Sequence, residues 1–154
     1  LANLPSGSAI PTALAALLSI ATAALPANTT IWYGAELPNY TAPLTFTITE
    51  ITGDQTVAEL GTQYRREEKF AFVCSLITYE GGRPDFDFSV QLSELMTNFN
   101  LIALAIGNNP DLNKTVRYAE VGNFSITAQT DGQGLAATIL DFQVRCQQRV
   151  LSLS

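Results

Sequence analysis

Residues 109–150 read NPDLNKTVRYAEVGNFSITAQTDGQGLAATILDFQVRCQQRV, and this stretch limits the fold more than any other part of the chain. A helix pattern stops at Gly107, Pro110 follows, and two long alternating runs come next. The runs predict strands over residues 115–128 and 135–151. Asp131-Gly132-Gln133-Gly134 between them is a hairpin signal with a longer loop. A hairpin of this length needs a sheet around it and helices to cover that sheet.

The helices are legible upstream. Pro11 suits the first turn of a helix, where its missing N–H would have had no partner. Leu14, Leu17, Leu18, Ala21 and Leu25 then recur at helical spacing until Pro26 and Asn28 end the run. A second stripe, Leu92, Leu95, Met96, Phe99, Ala103 and Ile106, needs a sheet to lie on. Asp85 and Asp87 favour its N-terminus through the macrodipole, and Gly107 is placed to be its C′ residue.

Between the helices, residues 30–33 (TIWY) predict a short strand, with one aromatic ring in the core and one at the surface. Residues 34–43 predict a loop. Residues 44–51 alternate apolar and threonine positions as a half-exposed antiparallel strand does. Gly53-Asp54 reads as a turn, with residues 55–61 returning or projecting. Residues 64–79 start charged and become apolar, which predicts a strand whose charged end projects beyond the sheet. Gly81-Gly82-Arg83-Pro84 breaks the chain. The whole predicts an α+β fold: a mainly antiparallel sheet with two amphipathic helices packed on one face. Residues 9–154 form one domain, and residues 1–8 an N-terminal arm broken by Pro5 and Gly7.

Charge narrows the partners. Eight basic residues against fourteen acidic ones leave a net charge of −6. Nucleic-acid binding draws most of its affinity from Lys and Arg on phosphates. The longest basic run is Arg65-Arg66, so the surface is expected to repel DNA and not to hold it. The run over residues 13–25 lacks a basic region before it and is too short to span a bilayer. Cys74 and Cys146 lie in predicted strands among apolar neighbours and are expected as reduced core thiols. The sequons at Asn28, Asn39, Asn113 and Asn123 are expected by chance in a chain rich in Asn and Thr.

No reaction chemistry is visible. The chain has no histidine, which removes the commonest general base and metal ligand. Neither cysteine has a partner for activation or for zinc. No nucleophile elbow, phosphate loop or dinucleotide fingerprint occurs. Glu67 and Glu68 are adjacent on a strand and point to opposite faces, so they cannot converge on one substrate. They read, with Arg65 and Arg66, as surface or intersubunit ion pairs. No catalytic, cofactor-binding or metal-binding residue is assigned, and no enzyme activity is expected.

Four segments carry a resemblance. They are the alanine- and leucine-rich first helix, REEKFAFVCSLITYEGG at residues 66–82, NPDLNKTVRYAEVG at 109–122, and DGQGLAATILDFQVRCQQR at 131–149. In this order the chain resembles the tail-terminator proteins of long-tailed bacteriophages over most of residues 10–150. The resemblance implies a homohexameric ring in the neck of a virion, assembled in the bacterial cytoplasm. It would stop tail-tube polymerisation, join the tube to head-completion proteins, and let DNA pass through its lumen without specific binding.

Three regions are candidate assembly contacts. Residues 52–66 read as a projecting loop or hairpin holding Asp54, Arg65 and Arg66, continued by Glu67 and Glu68. Residues 80–87 set Arg83 between acidic residues, Asp85 among them. Leu1 and Leu4 in the arm are wasted unless a partner covers them. Alternatives are a tail-tube subunit, another head-to-tail connector, or a secreted binding module, the last supported by the sequons, Trp32-Tyr33 and a disulfide that Cys74 and Cys146 could form.

Overall fold

The computed structural model describes residues 7–33, 44–59, 65–79, 88–130 and 136–151. In chain order the elements are α1 (Ile10–Ala24), β1 (Thr30–Tyr33), β2 (Thr45–Glu59), β3 (Arg65–Tyr79), α2 (Phe88–Gly107), β4 (Tyr118–Thr130) and β5 (Ala136–Leu151). The strands form one sheet in the order β1-β2-β3-β5-β4. The fold is α+β, and β2 through β5 pair antiparallel. The β1–β2 pair is parallel, so the sheet is mixed.

One face of the sheet is the core. Phe46 and Ile48 of β2, Phe72, Cys74 and Leu76 of β3, and Leu140, Phe142 and Val144 of β5 are fully buried. Alternation sends all of them to the same side, because Cys74 pairs with Phe142 and Ile48 with Cys74. The ring of Phe99 in α2 packs edge-on against Phe142, with centroids 5.2 Å apart, and at a tilt against Phe124 at 5.3 Å. Leu95, Phe99, Ile102 and Ile106 are the buried residues of α2; Leu92, Met96 and Ala103 of the expected stripe are half-buried at its margin. In α1 the deepest residues are Ala13, Ala16, Leu17, Ile20 and Ala21. Alanine gives the closest approach, and Leu14 and Leu18 pack at the flank.

Five expectations are corrected. Gly53-Asp54 is not a turn: β2 runs through it in register with Phe70 and Lys69. A Cβ at Gly53 would lie 2.9 Å from Phe70 Cβ, so this glycine serves close strand packing. The charged start of β3 does not project alone, since Arg65 pairs with both Glu59 and Leu151. Thr45 and Thr47 are about 1% exposed, so the first half of β2 is buried on both faces.

Gly107 is helical with open space around it and no positive φ. The left-handed residues come later, at Leu112, Asn113 and Lys114, with φ of 44°, 57° and 66°. Glu68 is the fifth correction, described below. The arm residues Leu1 and Leu4, Arg83, Asp85, Asp87 and the turn at 131–134 lie outside the described residues.

Candidate assembly surfaces

α1 begins without a side-chain cap of its own at Ala9. The cap comes from the sheet. The Ala9 N–H donates to Glu68 Oε1 at 2.7 Å, and Gln55 Nε2 donates to Oε2 at 2.6 Å. Glu68 is 2% exposed, so it is not the surface ion-pair residue expected from the charge run. A carboxylate at a helix N-terminus interacts favourably with the helix dipole, and two donors satisfy it in the interior. The sequence gives no local sign of this role, because the partners are 59 residues apart. Its neighbours behave differently: Arg66 is exposed and Glu67 half-buried on the opposite face.

That opposite face carries most of the sheet's charge. A trough of about 490 Å³ crosses it, lined by Asp54, Lys69, Ala71, Arg145, Glu120 and Tyr118 among others. Ala71 lowers its floor. In register, Asp54 is opposite Lys69 and Glu120 is opposite Arg145, so cations occupy the two central strands and acids the flanking ones. The Tyr118 hydroxyl donates to Glu120 at 3.2 Å, and that bond raises the phenol above its ordinary value. Further along, Ser75 Oγ donates to Asp141 Oδ1 across β3 and β5.

β4 ends the sheet. Its thirteen residues, YAEVGNFSITAQT, hold a single charge at Glu120. Natural sheets usually blunt such an edge with Lys, Pro or a bulge. Here a register shift lies between Val121 and Phe124. Gly122 sits in it, and a Cβ there would come within 2.9 Å of the Arg145 guanidinium. The Ala119 N–H is tied to Pro110 O at 2.7 Å, and among the described residues no strand pairs with the outer edge beyond it. Phe124 remains 52% exposed.

The link into β4 is wound left-handed through Leu112, Asn113 and Lys114. Three such residues cost roughly 1–2 kcal/mol each. Leu112 is fully buried, Asn109 Oδ1 accepts from the Asn113 N–H at 3.0 Å, and Thr115 N–H bonds back to Asp111 O. Packing and these bonds hold the turn, and they fix where β4 starts. The residues gave no glycine to signal it.

The two thiols are free and buried. Desolvation raises Cys74 far above the ordinary thiol range, with the Cys146 charge adding to it, and raises Cys146 to about 12. Both are protonated at neutral pH and are not nucleophiles. Among the described residues no group of three His, Cys, Asp or Glu is placed to hold a metal ion. No described helix is long and apolar enough to cross a membrane.

No protein-family model and no curated protein sequence matches the chain. A solved chain from the "Virion of native gene transfer agent (GTA) particle" is similar over 86% of this chain and 92% of its own, at 15% identity and a TM-score of 0.30. A TM-score of that size carries no functional argument.

Proposed function

We propose that the chain is a structural virion protein, a tail terminator that closes as a homohexameric ring on the last ring of the tail tube. The observation that carries the reading is the edge strand β4, which is long and weakly charged and whose outer edge pairs with no strand among the described residues. An edge of this kind is a template for another chain. A sheet flanked by two helices, each laying an apolar stripe on one face, supports the same reading, as does the sequence resemblance. The ring would stop tube growth and present a surface to head-completion proteins. Its role is geometric and needs no cofactor.

In this reading residues 9–154 are one domain and residues 1–8 an arm that a neighbour covers through Leu1 and Leu4. Asp54, Arg65, Arg66 and Glu67, towards one end of the β2–β3 pair, together with Arg83 and Asp85, are contacts between subunits or rings. Glu68 serves them indirectly, by fixing the start of α1.

Native mass spectrometry followed by negative-stain imaging with purified tail tubes tests the proposal. Closed rings of six, or single rings capping tubes, are the expected result. Long tubes of the protein alone would replace the terminator with a tube subunit. A monomer that ignores tail tubes would remove the virion reading.

A further inference from the structure

The turn after α1, the start of β2, the end of β3 and the first half of α2 border a cavity of about 300 Å³. Thr78 of β3 lies at its floor and is 2% exposed. Thr78 alternates with Leu76 and Cys74, so its side chain points to the helix side of the sheet. The hydroxyl is buried and has no hydrogen-bond partner among the described residues. Thr138, opposite it on β5, is buried and unpartnered too, so the two hydroxyls do not satisfy each other. Leaving a buried hydroxyl without a partner costs stability, and native interiors hold few of them.

Glu94, Thr97 and Asn98 form the α2 wall of the cavity. At i, i+3 and i+4 they share one face of the helix. The Thr97 hydroxyl donates to Ser93 O at 2.9 Å, and Asn98 Nδ2 donates to Glu94 O at 2.9 Å. What this wall has left to offer is mainly acceptors: the lone pairs of Thr97 Oγ1, Asn98 Oδ1 and the Glu94 carboxylate. Glu94 is the one charged side chain on either helix, and no Lys or Arg lines the cavity with it. The remaining side is apolar, made by Pro26 and Leu44.

We infer that this cavity binds an alkylammonium group, the end of a lysine side chain or of a small polyamine. Acceptors reach it from the helix wall and from the sheet floor. That arrangement suits the three N–H donors of an ammonium better than the planar fork of a guanidinium. Thr78 gains the partner it lacks, and the methylene stem lies against Pro26 and Leu44. A divalent metal ion fits poorly, because such ions gather several carboxylates and this cavity has one. An anion is disfavoured by Glu94 itself.

The space is sufficient. The cavity equals on the order of ten water volumes, which is room for a butylamine or pentylamine chain. The site lies on the helix side of the sheet and uses no residue of the β4 edge. It therefore stands or falls independently of the ring.

Titration of the full chain, carrying methyl-labelled threonine, with cadaverine and with Nα-acetyl-lysine methylamide tests it by NMR. The Thr78 and Thr97 methyl signals should shift and saturate with a Kd on the order of 1 mM. Thr127, on the opposite face of the sheet, should stay still. Pentanol, which has the chain without the charge, should bind at least about tenfold more weakly. Glu94→Gln should weaken amine binding roughly tenfold, and Thr78→Val, read at Thr97, about fivefold. Glu94 is exposed and valine keeps the shape of threonine, so both variants should fold. Thr78→Val should melt no lower than the wild type, since it loses only an unpartnered hydroxyl. No saturation below about 20 mM, equal shifts with pentanol, or a variant that binds as the wild type does would overturn the inference. Tighter binding of the lysine derivative would support the site and point to a partner protein's lysine. Tighter binding of cadaverine would support it and point to a free polyamine.

Discussion

Ala9 and Glu68 are joined by a buried hydrogen bond of 2.7 Å that fastens the first helix to the central strand of the sheet. The bond spans 59 residues and stands in for the side-chain cap that α1 lacks.

Removing it should therefore be costly. Glu68→Ala strips one helix N–H and the Gln55 amide of their acceptor in a buried place, worth about 2–3 kcal/mol. A thermal melt should fall by about 5–10 °C for a domain of this size. An unchanged melting temperature would show that water replaces the carboxylate freely.

Gly53→Ala discriminates a strand from a turn at that position. In the strand its Cβ meets Phe70 Cβ at 2.9 Å, and the overpacking should lower stability by about 1–3 kcal/mol in a urea titration. A neutral substitution would place residue 53 in an open turn.

The thiols give a pH signature. Burial raises both folded values above the unfolded 9.0, Cys146 to about 12. The folded state therefore holds its protons longer than the unfolded chain. The thiol contribution is fully present below pH 9 and is lost as pH rises from there towards the folded values, by up to about 1.4 kcal/mol per thiol per pH unit. Denaturant midpoints measured from pH 8 to pH 10.5 should decline, and less steeply in Cys74→Val. A thiol reagent at pH 8 should label neither cysteine until the protein unfolds.

Lys114→Gly should stabilise. Lys114 is exposed with φ at 66°, where a Cβ is penalised by about 1–2 kcal/mol. Part of that gain is lost to the added freedom of the unfolded chain. A net rise of about 0.5–1 kcal/mol in a urea titration is expected, and a loss would mean that the lysine stem is packed.

Periodicity served well where one face of an element does one job. The stripe of α2 and the alternation of β3 and β5 were readable because their apolar residues all meet one core. Reading failed where a residue is used by something distant. Glu68 looks like its neighbours Glu67 and Arg66 until α1 arrives above it. Gly53 has the composition of a turn, yet it is held extended by Phe70 on the adjacent strand. Leu112 and Lys114 carry no mark of left-handed backbone, because the buried leucine and the Asn109–Asn113 bond impose it. The parallel pairing of β1 with β2 is likewise invisible, since the two strands have ordinary strand composition. The candidate contacts were harder still: a long open edge is a property of strand order, and strand order is not written in any one segment.

That order has a consequence for how the protein is made. β5 lies between β3 and β4 and follows both in the chain. Arg65 must wait for Leu151, and Tyr118 for Gln147. Until β5 leaves the ribosome, β3 has one open side and β4 has no neighbour at all, so the sheet closes only after its last strand is synthesised. Contacts of this sequence separation fold slowly, and a nascent chain halted before residue 136 would leave one edge of β3 unpaired and Phe99 of α2 without Phe142 to pack on, open to whatever protects unfinished proteins in the cell.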